Sequence, residues 1–287
     1  MSHKEDKKEK SLDKLLEKEL KRNAQEERKK DRVDAVKEDK DFESYEQVFK
    51  LCGIPVGEVK NLTADLREGE NPRMRFDSVN GEVHIRVSAV RENDKSAKKV
   101  AKPVVKELKS RFSERIYSLE EDGNLAVTVY ELLRDNSLTL SAAESCTGGL
   151  ICSRLVDIPG ASEVLKEGFV VYSNKAKRAR LGVKKSTLLK YGAVSEETVK
   201  EMLKGCAFFA KTDVSVAVSG IAGPDGGTEE KPVGTVFVGC AIKGKTMIRE
   251  CHFKGNRNEV REQAVTEALA LIRLCVLKYY SEKNFNN

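Results

Sequence analysis

The sequence predicts an α/β domain of the three-layer type at residues 119–287, preceded by a small α+β domain at 45–118 and a charged tail at 1–44. Three observations carry this. Beyond Asn124, apolar runs of strand length alternate with segments at helical spacing, as in α/β domains. Within 45–118, two alternating segments flank Asn80-Gly81, the strongest short hairpin signal because both turn residues need positive φ. In the first 44 residues, 28 side chains are charged, 14 of each sign.

The tail holds few large apolar side chains, with Leu12, Leu15, Leu16 and Leu20 as its one stripe. It cannot bury enough surface to offset chain entropy, so a solvated, partly helical segment is expected. The formal net charge of +6 is spread over both folded regions, too thin to argue for a nucleic-acid partner. No apolar run reaches the ~18 residues of a spanning helix, and the N-terminus does not read as a signal peptide. Seven scattered cysteines without a CxxC pair read as reduced thiols of a cytoplasmic protein. Three isolated histidines give a metal centre little to build on, and no metal is expected.

The small domain reads as helix, hairpin, helix. Met74 and Phe76 alternate before the turn, and Val83, Ile85 and Val87 after it. Residues 95–112 follow at helical spacing, where Pro103 implies a late start or a kink. In the larger domain, 125–135 reads as a helix, 138–144 as a strand and 150–158 as a helix stopped by Pro159-Gly160. A strand at 169–173 and a helix at 195–210 come next, with Ser195 as its N-cap. Buried strands at 214–220 and 233–242 and a closing helix at 257–280 complete the domain.

Three motifs bear on chemistry. Ala143–Gly149, AESCTGG, falls at a strand-to-helix turn, where a hydroxyl is exposed beside free backbone N–H groups. Ser145, Cys146 and Thr147 are all nucleophile candidates, with an oxyanion site from the N–H groups of Cys146, Thr147 or Gly148. The same kind of turn also serves simply to cap a helix. Histidine is scarce, and His252 reads as structural, so the base falls to a lysine or tyrosine. Tyr172–Lys177, YSNKAK, offers both, and a desolvated lysine has a lowered pKa. Helical spacing would put Asn174 and Lys177 toward one cleft. From composition alone, this cluster with Lys175, Arg178 and Arg180 reads first as a solvated basic patch. The third motif, Ser219–Thr235, packs glycines and prolines between two apolar strands, so its backbone can approach an anion closely. Thr228 and Lys231 add donors there. The loop is neither a Walker A nor a dinucleotide fingerprint.

AESCTGG, GFVVYSNKAK at 168–177, YGAVSEE at 191–197, SGIAGPDGGTEEKPVGTV at 219–236 and GNR at 255–257 together resemble the C-terminal domain of the competence/damage-inducible protein CinA family. LTADLREGENPRMRF and GEVHIRVSA are similar to the family's KH-like middle domain, without the G-x-x-G loop that clamps nucleic acid. Full-length members begin with a molybdopterin-binding-like domain credited with ADP-ribose pyrophosphatase activity. Residues 1–44 offer no counterpart, and that activity is not carried over. The resemblance implies a nicotinamide mononucleotide amidohydrolase that forms nicotinate mononucleotide and ammonia in pyridine nucleotide salvage. Ser145 would be the nucleophile, with Tyr172 and Lys177 handling protons. Thr147, Gly148, Asn174, Gly223, Gly226, Gly227, Thr228 and Lys231 would bind the pyridine mononucleotide. Lys175 lies outside the family pattern, and Asn256 replaces its usual Asp. The resemblance implies a homo-oligomer and no cofactor, while the apolar pattern and thin charge excess above predict no membrane partner and argue against a nucleic-acid one. A non-catalytic nucleotide-sensing or protein-interaction module in a competence or DNA-damage response is the competing expectation.

Overall fold

The structure is a computed structural model that describes residues 44–283. The expected tail lies outside the described residues. The chain divides into two compact units, meeting between Asn124 and Leu125.

The first unit runs β1 (Ser44–Leu51), α1 (Val56–Leu62), β2 (Arg73–Val79), β3 (Glu82–Val90), α2 (Ala97–Arg111) and β4 (Ile116–Ser118). Its strands form one antiparallel sheet in the order β2-β3-β1-β4. The expected hairpin is β2–β3: Val79 pairs with Glu82, and Asn80 and Gly81 have φ of 50° and 88°. Alternate β3 residues Val83, Ile85 and Val87 join Phe49 of β1 and Ala101 and Leu108 of α2 in one buried core. The helix–hairpin–helix expectation is corrected in two respects. It missed β1, whose first four positions keep half their side chains in solvent, and the three-residue β4. Helix α2 starts at Ala97, not late, with Pro103 in its interior. Pro103 is exposed, so the carbonyl it leaves without a donor is on the solvent side.

The second unit runs α3 (Leu125–Asp135), β5 (Leu140–Glu144), α4 (Leu150–Val156), β6 (Leu165–Val170), α5 (Asn174–Leu181), α6 (Lys185–Tyr191), α7 (Glu196–Ala210), β7 (Val214–Gly220), β8 (Thr235–Ile242), β9 (Lys245–His252) and α8 (Arg257–Lys283). The sheet order is β6-β5-β7-β8-β9. Strands β6, β5 and β7 are parallel, whereas β8 and β9 run antiparallel to their neighbours. Helices cover both faces. A Cβ on Gly239 would strike Val199 and Leu203 of α7, while the next residue, Cys240, meets Cys275 of α8. Successive strand residues point to opposite faces, so α7 and α8 sandwich the sheet. This is the expected three-layer arrangement. Strand β6 ends at Val170, leaving Val171, Tyr172 and Ser173 in the turn before α5, not in the strand predicted at 169–173. Strand β9 was missed because its side chains are half-exposed throughout.

This topology gathers one set of chain ends. β5, β6 and β7 finish at the same edge, with Glu144 level with Val170 and Val218. β8 begins there, and β9 ends there with His252 opposite Thr235. The far edge carries the tight β8–β9 turn at Lys243-Gly244, with φ of 46° and 88°.

Candidate active site

Ser145 follows the last residue of β5. Its N–H donates to Val218 O of β7 at 3.0 Å, and the Gly148 N–H returns to Ser145 O at 3.2 Å. The turn needs Gly148 at φ 62° and Gly149 at φ 100°, where a Cβ would be strained. Glu144 holds the turn from inside. Its fully buried carboxylate accepts from the N–H groups of Gly149 (2.9 Å), Ile151 (3.1 Å) and Cys152 (3.0 Å). It thus supplies from a strand the cap that the first turn of α4 lacks.

Lys177 arrives from the other side. Ser173 caps α5 by accepting from the Ala176 N–H, and the first turn then directs Lys177 inward. Lys177 is 1% exposed. Its Nζ donates to Ser145 Oγ at 2.8 Å, to Val171 O at 2.9 Å and to Tyr172 O at 3.4 Å. Burial pulls its pKa from 10.5 to about 8. The basic-patch reading of this lysine therefore fails, because its ammonium is enclosed against a hydroxyl and two carbonyls.

The three nucleophile candidates separate on burial and chemistry. Cys146 is buried, and burial raises its thiol to about 11, far from the thiolate form. Thr147 is fully buried, and its Oγ1 has no hydrogen-bond partner among the described residues. Ser145 alone has its oxygen on a titratable amine. With the Gly148 N–H used by Ser145 O, the Thr147 N–H is the one of the expected three left without a partner among the described residues, and the Cys146 N–H faces its own thiol.

Tyr172 is placed differently from its expected role. Its backbone carbonyl takes the Lys177 ammonium, but its side chain is 63% exposed and its hydroxyl accepts from Arg257 Nη2 at 3.2 Å. The structure brings the Tyr172 phenol to Arg257 and not to Ser145. Asn174 is exposed at the first position of α5.

The Gly-rich loop leaves β7 at the same edge. Gly223 and Gly226 have φ of 81° and 91°, and a Cβ on Gly227 would come within 2.8 Å of the Val233 nitrogen. Gly223 O accepts from Arg257 Nη1 at 2.7 Å. Thr228 and Lys231 bond each other through Thr228 Oγ1 and backbone groups. Lys231 Nζ donates to Tyr191 O (2.9 Å) and Val194 O (2.7 Å), tying the loop to the connection between α6 and α7. Both side chains expected to meet a ligand thus hold the loop itself.

Asn256 caps α8. Its Oδ1 accepts from the Asn258 and Glu259 N–H groups, and Glu259 accepts from the Asn256 N–H at 2.7 Å, a capping box that accommodates Asn in place of Asp. Arg257 follows directly and bridges the loop to Tyr172. Glu144 and Arg261 escaped the sequence reading. A lone acid ending an apolar strand was a signal for the first, and nothing local marked the second. Among the described residues, no group of three or more His, Cys, Asp or Glu is placed to hold a metal ion. No helix among them is long and apolar enough to cross a membrane.

Fold and site define a two-unit protein whose larger α/β unit sets a serine–lysine pair at the carboxyl end of a parallel strand. The chain belongs to the CinA family: the CinA C-terminal domain matches residues 122–276, and the damage-inducible protein CinA KH domain matches 46–118. A Clostridium beijerinckii protein named as competence-damage inducible is 46% identical over 81% of this chain and 57% of its own length. A CinA-like protein of Kosmotoga olearia is 42% identical over 81% of this chain and 57% of its own. The chain thus spans just over half the length of these curated relatives. Among solved structures, the Agrobacterium tumefaciens competence/damage inducible protein superposes with a TM-score of 0.50 at 42% identity, over 50% of this chain and 89% of that one. An Escherichia coli CinA superfamily protein gives 0.51 at 37% identity, over 53% and 88%.

Proposed function

We propose that the C-terminal unit is a serine amidohydrolase that converts nicotinamide mononucleotide to nicotinate mononucleotide and ammonia in the cytoplasm. The observation that carries this is the buried 2.8 Å contact between Lys177 Nζ and Ser145 Oγ, beside the Thr147 N–H that has no partner among the described residues. A neutral Lys177 takes the Ser145 proton as Oγ bonds the carboxamide carbon. The carbonyl π pair moves onto oxygen, and the oxyanion lies against the Thr147 N–H. Lys177 hands its proton to the amide nitrogen, the C–N bond breaks, and ammonia leaves an acyl-Ser145. Water then gives a proton to Lys177, attacks the ester carbon, and Ser145 leaves with that proton restored.

The exposed Tyr172–Arg257 pair, Asn174 and the loop through Gly223, Gly226, Gly227 and Thr228 would wall the mononucleotide pocket, with Lys231 fixing the loop's shape. The substrate assignment rests on family resemblance. Purified protein should release ammonia from nicotinamide mononucleotide, and Ser145→Ala should abolish it. No release by wild type, or undiminished release by the variant, would sink the proposal. Tight nucleotide binding without turnover would favour a sensing module instead.

A further inference from the structure

Arg261 lies half-buried on α8, well over a hundred residues from Ser145 in sequence. Its Nε donates to Cys146 O at 3.2 Å, its Nη2 to Thr147 O at 2.9 Å, and its Nη1 to Asn258 Oδ1 at 3.5 Å. One guanidinium therefore grips two successive carbonyls of the turn after the serine.

A trans peptide is planar, so its N–H points opposite to its C=O. The Cys146 carbonyl shares a plane with the Thr147 N–H, and the Thr147 carbonyl shares one with the Gly148 N–H. Fixing the first carbonyl aims the unpaired Thr147 N–H away from α8. Fixing the second sets the Gly148 N–H that closes on Ser145 O. A cation on a carbonyl also polarises its peptide, making the N–H on the far side a stronger donor. Glu144 pulls on the N–H groups of Gly149, Ile151 and Cys152 in the same turn. The turn is held through its carbonyls by an arginine and through its N–H groups by a glutamate.

We propose that Arg261 is a positioning residue that orients and polarises the Thr147 N–H toward the oxyanion formed at Ser145. It touches neither substrate nor the reacting atoms. This rests on the amidohydrolase reading of the same site. Losing an oriented oxyanion donor lowers kcat by about 10²-fold, and Arg261→Ala is expected to show that loss with KM within threefold. Arg261→Lys, which keeps the charge but cannot grip both carbonyls in one plane, is expected to fall between the two. Guanidinium ion is expected to restore part of the Arg261→Ala rate. The pH midpoint set by Lys177 should stay in place, because Arg261 bonds the Cys146 and Thr147 carbonyls and not the Lys177 ammonium.

A fluorophosphonate that labels activated serines gives a readout independent of the amide. Its rate at Ser145 should fall in Arg261→Ala in parallel with kcat. Wild type that labels but leaves nicotinamide mononucleotide intact would overturn the substrate while the labelling series still decides Arg261. Wild type that neither labels nor hydrolyses would overturn both. Should Arg261→Ala not fold, Arg261→Lys decides: unchanged kcat and labelling, or a loss confined to KM, removes the proposed role.

Discussion

Lys177 Nζ lies 2.8 Å from Ser145 Oγ, and among the described residues no carboxylate bonds that ammonium. Paired lysines usually keep their charge at neutral pH. Here the partners are a hydroxyl and two carbonyls, and burial brings the pKa to about 8. On the proposed amidohydrolase reading, this is what would let Lys177 act as a base near neutral pH.

The pH profile should report this directly. Only the neutral amine accepts the serine proton, so kcat/KM should rise about tenfold per pH unit below 8 and level off above it. A flat or falling profile between pH 6 and 8 would exclude Lys177 as the base.

Stability should carry the same signature. The group is depressed in the folded protein, to about 8 against 10.5 unfolded, and between those values the unfolded chain binds more protons. Wild-type stability therefore gains from this residue as pH rises from 8 to 10.5, by about 3 kcal/mol in all. Lys177→Met lacks this titration. The difference in urea unfolding free energy between the two proteins should shift in favour of wild type over that window, and a constant difference would contradict the assignment.

Glu144→Gln tests the buried cap. The carboxylate accepts three N–H groups, and an amide replaces one acceptor oxygen with a donor facing them. The expected loss is about 2–3 kcal/mol. Urea denaturation should show it, together with slower ammonia release, because the same turn carries Ser145.

Gly205→Ala should also destabilise, against the usual preference of helices for alanine. Gly205 sits inside α7, and a Cβ there would come within 2.0 Å of the Leu181 carbonyl oxygen at the end of α5. Overpacking of this kind costs about 1–3 kcal/mol. The displaced helix is the one that carries Lys177, so kcat should drop as well. An unchanged Tm would mean that the two helices separate easily.

Legibility in the sequence followed the range of the interactions. The Asn80-Gly81 hairpin, the Ser195 cap and strand β7 were read at their observed places because propensity and periodicity settle them within a few residues. Strands β1 and β9 were not, since partly solvated strands carry a weak apolar signal. In the site, the turn at Ser145–Thr147 was legible as a nucleophile setting without singling out Ser145, and Lys177 read first as part of a solvated basic patch and came forward through the family resemblance. The roles of Thr228 and Lys231 as loop fasteners did not, because their partners are chosen by the fold. Arg261 reaches the Ser145 turn only after α8 has docked.

The Lys243-Gly244 turn lies at the edge of the sheet away from Ser145, about 25 Å along an eight-residue strand. The protein can therefore be lengthened without touching its chemistry. A compact reporter domain spliced between Lys243 and Gly244 would ride on a hairpin whose other end, Thr235, closes the Gly-rich loop.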